Sequence, residues 1–122
     1  MRTKKTNRKS LVAKLDKVFG DYIKKRDGKC IVCGTRRGLQ CGHLFTRAAY
    51  STRWDEENAW GQCPGCNYRH EFDWMPMQDA VARKMIDVDA LYIRHKKVAK
   101  LSNGDLESMI EHYKEKLAAL QP

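Results

Sequence analysis

The sequence predicts an α+β fold: a small core of two short strands, stapled by a four-cysteine zinc knuckle, with one helix before it and several after it. Three observations predict this. Two CxxC pairs, Cys30/Cys33 and Cys63/Cys66, lie 29 residues apart (34 to 62), a helical apolar stripe precedes them, and further helical stripes follow a β-compatible middle. At 122 residues the chain has room for one hydrophobic core and not for two. The expected organisation is a basic flexible arm over 1–9 and a single domain over 10–122, with its core at 29–75 and C-terminal helices at 76–121.

The elements follow in order. Leu11, Leu15, Val18, Phe19, Tyr22 and Ile23 recur at helical spacing, with Ser10 as candidate N-cap and Gly28 as the stop. "GLQCGHLF" and "NAWGQC" are short, β-compatible runs without a long helical stripe, so they read as two strands joined by a basic loop. A helix is expected from Cys63 or Pro64, carrying Asn67 to Phe72. Pro76 suits the first turn of the next helix, "PMQDAVARKMI". Asp89 to Lys100 reads as helical, "SNGD" as a break, and Leu106, Met109, Ile110, Tyr113, Leu117 and Leu120 as the stripe of a final helix. These outer stripes read as packing surfaces.

Cys30, Cys33, Cys63 and Cys66 supply four soft ligands, enough to close a tetrahedral Zn²⁺ and leave no open position, so this metal is expected to be structural. The 29-residue spacing is longer than a compact zinc ribbon uses, so the knuckle must clamp an inserted element, and that element carries "LQCGHLFTR". Cys41 is left over and reads as a strand residue. His43 lies in the first strand, Asn58 opens the second, and Asn67 begins the helix behind the second knuckle, which would bring it back toward His43.

"CIVCG … CGHLF … ENAWGQCPGCN" resembles the HNH, or ββα-metal, nucleases in their His-Asn-Asn variant, a treble-clef-like core. Over roughly residues 29 to 120 the chain more closely resembles the NinG/Rap recombination endonucleases of lambdoid phages, through "CGHLFTR", "RWDEENAWGQCPGCN" and "SNGDLESMIEHYKEKL". The resemblance implies His43 as general base, Asn58 as a brace for the loop presenting it, and Asn67 as an amide ligand of a catalytic Mg²⁺ or Mn²⁺. A further ligand four residues on would be Glu71, with His70 as competitor. Residues three and four apart share a helical face, so Asn67, His70 and Glu71 are expected to converge. Their bland alternative is a solvated "RHE" surface. The chain departs from many HNH nucleases at Gly42, where an acid or histidine usually precedes the base.

Twenty-four Lys and Arg against fifteen Asp and Glu give +9, which suits a polyanion. Arg47 and Arg53, beside the candidate base, are candidate phosphate contacts. The arm (Arg2, Lys4, Lys5, Arg8, Lys9) and "RHKKVAK" read as sequence-neutral ones. DNA is the expected partner, branched DNA on the family resemblance, with a homodimer as an option for paired cuts. No apolar run approaches the ~18 residues of a membrane span, and no h-region follows the basic start, so the expected location is cytoplasmic (the host cytoplasm if phage-encoded). A reading from another class needs only the cysteines and the basic surface: a non-catalytic zinc module that binds nucleic acid or a recombination or replication partner.

Overall fold

In this computed structural model residues 4–120 are described. Helix α1 (Lys4–Asp27) leads to strand β1 (Gln40–His43), a short helix α2 (Tyr50–Arg53), strand β2 (Ala59–Gln62), and helices α3 (Pro64–Arg69), α4 (Met75–Arg83), α5 (Val88–Lys96) and α6 (Asn103–Ala119). The mixed α+β class is as expected, with the sheet reduced to two antiparallel strands that pair Gln40 with Gln62 and His43 with Ala59. No helix among the described residues is long and apolar enough to cross a membrane.

Strand alternation assigns the two faces of the sheet different work. Ala59 and Cys41 meet a core built from Leu15, Phe19 and Ile23 of α1 and Leu106, Ile110 and Tyr113 of α6. Trp60, on the opposite face, joins Leu44, Phe45, Met77, Val81 and Leu91 in a second core under α4 and α5. Helices α1 and α6 run side by side in the same direction: Arg8 bonds Asn103 near both starts, Phe19 meets Tyr113 edge-on, and Lys116 lies over the Tyr22 ring near both ends.

The end of α1 also closes the free edge of β2. Asp27 Oδ2 accepts the Gly61 N–H at 2.7 Å, and Ile31 N–H donates to the Gly61 carbonyl at 2.8 Å. Backbone groups that a two-stranded sheet would leave unpaired are thereby satisfied.

Four expectations shift. Helix α1 begins at Lys4 and not at Ser10, because residues 4–9 hold no glycine or proline to stop it and Arg8 is tied to α6. Residues 4–9 of the expected arm are thus helical, while 1–3, including Arg2, lie outside the described residues. Helix α3 stops at Arg69, short of Phe72: beyond it the Glu71 and Phe72 N–H groups bond only three residues back, to Tyr68 and Arg69, as a tighter turn. Helix α5 ends at Lys96, before Lys100. "SNGD" is a start and not a break: Ser102 accepts from the Asp105 N–H, and Asp105 returns a bond to the Ser102 N–H at 2.8 Å. Helix α2, inside the basic loop, has no apolar period that would have announced it.

Ser102→Ala should remove this capping box and cost about 1 kcal/mol. Ile110→Ala, which opens the core between α1 and α6, should cost about 2–5 kcal/mol. Urea unfolding followed by circular dichroism checks both: the midpoints should fall in that order while the denaturant slope stays unchanged.

Candidate functional site

The four cysteines meet. Their Sγ atoms all lie within 4.8 Å of one another, and Cys33 and Cys63 are 3.7 Å apart. A tetrahedral ion with Zn–S bonds of about 2.3 Å needs sulfurs about 3.8 Å apart, so the cluster is sized for zinc. Each CxxC turn aims a backbone N–H back at its first sulfur, Cys33 to Cys30 at 3.5 Å and Cys66 to Cys63 at 3.4 Å. Gly34, at φ 81°, takes the left-handed conformation that lets the first turn leave the cluster. Burial opposes ionisation of Cys30, yet backbone N–H groups of Cys33, Cys63 and Val32 outweigh it and bring the thiol down to about 7. Burial and the neighbouring sulfurs push the Cys66 thiol up instead, so the four sulfurs do not ionise together until a cation offsets their charge.

The cluster sets where α3 starts, since Cys63 is its N-cap and Pro64 its first residue. An open cleft of about 610 Å³ therefore forms between β1 and the α3–α4 segment, lined by His43, Arg47, Asn67, His70 and Glu71. His43 Nε2 lies 2.9 Å from the Arg53 carbonyl. A carbonyl can only accept, so Nε2 carries the proton and Nδ1 keeps its lone pair. Burial, helped by Arg47 and Arg53, holds the imidazole below its ordinary value, although the Arg53 carbonyl pulls the other way. His43 is thus an imidazole whose ring is oriented by the Arg53 carbonyl and whose charged form burial disfavours.

Asn58 lies beneath, fully buried. Its Oδ1 accepts the Phe45 N–H at 2.8 Å, and its Nδ2 donates to the carbonyls of Phe45 and Thr52, each at 3.0 Å. One amide thereby ties the residues just after His43 to the helix whose Arg53 carbonyl orients it.

Asn67, His70 and Glu71 reach the same cleft, since the turn carries on past the end of α3 with the His70 N–H on the Cys66 carbonyl. Asn67 Nδ2 donates to Gln40 Oε1 at 2.8 Å, which leaves Oδ1 for another partner. His70 Nε2 donates to the Leu44 carbonyl at 2.8 Å, bracing the strand end next to His43, while its Nδ1 is buried and unpartnered among the described residues. Glu71 is exposed. Among the described residues the cysteines form the one cluster of three or more His, Cys, Asp or Glu ligands, so His70 and Glu71 do not assemble a second tight one.

Gly42 has a steric explanation. A Cβ there would lie 1.8 Å from Gln62 Oε1 and 3.1 Å from Asn67 Oδ1. Gln62 is fully buried, and neither amide atom has a partner among the described residues. Gln62 thus fills the space a ligand at position 42 would take, and sequence reasoning passed over it. The signal was its strand position: Gln62 shares a sheet face with Gly42 and Trp60, where a polar side chain must be buried.

Arg53 is a correction. Its side chain is mostly buried and committed to Asp16, Nε to Oδ1 at 3.0 Å, so it is not free for phosphate. Burial works against charge on Asp16, but the Arg53 guanidinium outweighs it and holds the carboxyl below its usual range. Arg47 stays available: its side chain is 64% exposed and reaches Asp16 only at 3.8 Å. Cys41 packs beside the α1 core, and burial pushes its thiol up to about 12, so it acts as an apolar strand residue.

A family model described as "Bacteriophage Lambda NinG protein" matches residues 1–122, so the chain belongs to the lambda NinG family. Neither the curated proteins nor the solved structures hold a significant match.

Natively purified protein should carry about one zinc per chain by elemental analysis, and Cys63→Ala or Cys66→Ala should lose both the metal and most of the stability, since metal binding is folding energy in such a site. Gly42→Ala should cost about 1–3 kcal/mol through overpacking against Gln62. Thermal melts should show that cost largely relieved when Gln62→Ala is added.

Proposed function

We propose that this member of the lambda NinG family is a metal-dependent DNA endonuclease with a ββα-metal, HNH-type centre in which His43, Asn58 and Asn67 are the His-Asn-Asn set. The observation that carries the reading is His43, held by the Arg53 carbonyl, with no partner for Nδ1 among the described residues, at a cleft that Arg47 also lines. A strand laid in the cleft would present a phosphodiester to Arg47, whose guanidinium matches phosphate oxygens in pairs. His43 Nδ1 would take a proton from water, the water oxygen would form the new bond to phosphorus, and the ester P–O bond would break, its leaving oxygen taking a proton from solvent water. Asn58 keeps the base aimed through its three backbone bonds, and His70 does the same through Leu44.

The donor set fits a hard divalent cation at Asn67, whose Oδ1 is free of partners among the described residues, with the Glu71 carboxylate on the same cleft. Oxygen donors of this kind suit Mg²⁺ or Mn²⁺, with water and substrate phosphate completing the shell. Bound there, the cation would neutralise charge that builds on the phosphoryl oxygens. Branched recombination intermediates are the proposed substrates, on the resemblance of the "CGHLFTR" and "SNGDLESMIEHYKEKL" segments to recombination endonucleases.

The lack of a second tight cluster of His, Cys, Asp or Glu ligands among the described residues favours the other reading, a zinc module that binds DNA without cutting it. A nicking assay separates the two. With Mg²⁺ or Mn²⁺ the protein should cut a labelled four-way junction faster than a linear duplex, and should cut neither without added metal. No cleavage with either ion would overturn the endonuclease. Asn67→Ala should shift the metal dependence upward, with part of the loss recovered at high Mn²⁺, because mass action offsets a weakened site. A metal titration under single-turnover conditions checks it.

A further inference from the structure

The segment that closes the cleft carries two aromatic rings outside both cores, Tyr68 and Phe72, and a third, Trp74, that packs one side on Phe45 and His70. Tyr68 is 66% and Phe72 68% exposed, and they meet edge-to-face at 5.2 Å. Neither belongs to either hydrophobic core. Trp74, 42% exposed, follows on the same segment, and both Tyr68 and Trp74 line the cleft with His43. Large apolar rings left in water beside a cleft mark a surface that meets a partner.

Charge decides what kind of partner. Exposed arginines flank the segment: Arg47 across the cleft, Arg69 within it, and Arg37 on the loop whose Gly38 packs on Pro64 at the start of α3, while Arg36 of that loop turns toward Gly28. Glu71 and Asp73 are the acids nearby; Asp73 and Arg69 pair at 3.0 Å and offset each other, which leaves Arg47 and Arg37 against Glu71. A second copy of the chain would bring another +9 and repel. A partner that joins dense negative charge to flat apolar faces fits both features, and a nucleic-acid strand has that chemistry. A continuous duplex hides its base faces by stacking, so the rings suit bases that are unpaired.

We propose that Tyr68 and Phe72, with Trp74 at the cleft wall, form a stacking platform for unpaired bases of a DNA strand next to the site of cleavage. This rests on the endonuclease reading for the strand's place in a reaction, and it gives that reading a substrate preference. The platform selects DNA whose bases are open, such as a flap, a gap or a branch point, while the arginines hold phosphates of any sequence.

Fluorescence anisotropy tests it, with a labelled dT oligonucleotide and a duplex of equal length, in buffer without Mg²⁺ or Mn²⁺. Tyr68→Ala and Phe72→Ala alter exposed side chains and should keep zinc content and circular dichroism. Each should weaken single-strand binding by about 5- to 150-fold and leave duplex binding within error. Tyr68→Phe keeps the ring and should bind as wild type, and the salt dependence of all three should be unchanged, because no charge is removed. Equal losses on both DNAs, no loss on the single strand, or a change in sedimentation with DNA affinity unaltered would each overturn the platform. Binding is read without cleavage, so a protein that discriminates as described yet never cuts would keep the platform and lose the endonuclease.

Discussion

Two strands of four residues each cannot hold a helix at a fixed angle by themselves, since a lone hairpin is marginal in water. The sulfur cluster supplies that constraint. Cys63 ends β2 and caps α3, and the partner pair Cys30 and Cys33 hangs from α1, so four sulfurs within 4.8 Å fix α3 against both the sheet and the long helix. Asn67 lies one residue past the last cysteine, which is why its amide reaches Gln40 on β1. The Asn67–Gln40 and His70–Leu44 bonds then hold the same wall to β1 and the residues after it.

The other wall of the cleft is set by polar bonds rather than by metal. Asn58 spans Thr52 and Phe45, Arg53 is anchored to Asp16 on α1, and the Arg53 carbonyl then orients His43. Each step uses a buried or half-buried group with its partner in place, so the arrangement is rigid. Gln62 is the exception, a buried amide with neither atom partnered among the described residues, pressed against Gly42 and near Asn67 Oδ1. Buried polar groups are normally satisfied, and one left open beside a candidate site is the kind of local inconsistency that function tolerates.

Much of this was legible in the chain because its signals are local. The CxxC spacing, the stripe from Leu11 to Ile23 and the β-compatible runs around Cys41 and Trp60 each carry their own period or ligand chemistry. Tertiary contacts decided the rest. The start of α1 depends on Arg8 finding Asn103 ninety-five residues away, and the fate of Arg53 depends on Asp16, neither of which a window of sequence contains. Gln62 escaped notice because a glutamine ahead of a CxxC looks like a surface residue until the strand register turns it inward. The spacing of Asn67, His70 and Glu71 anticipates that one cleft gathers them, although α3 itself ends at Arg69.

The central claim is that His43 is the base of a phosphodiester hydrolase and not a structural part of the zinc module. Its side chain touches no cysteine of the cluster, so His43→Ala should leave zinc content, fold and junction affinity as in wild type. The most direct measurement is single-turnover cleavage of a four-way junction by this variant, at saturating Mg²⁺ and with protein in excess. The account predicts a rate lower by about 10²–10⁴, the usual contribution of a positioned general base. Cleavage at the wild-type rate would contradict it and leave the zinc module as the better description of this chain.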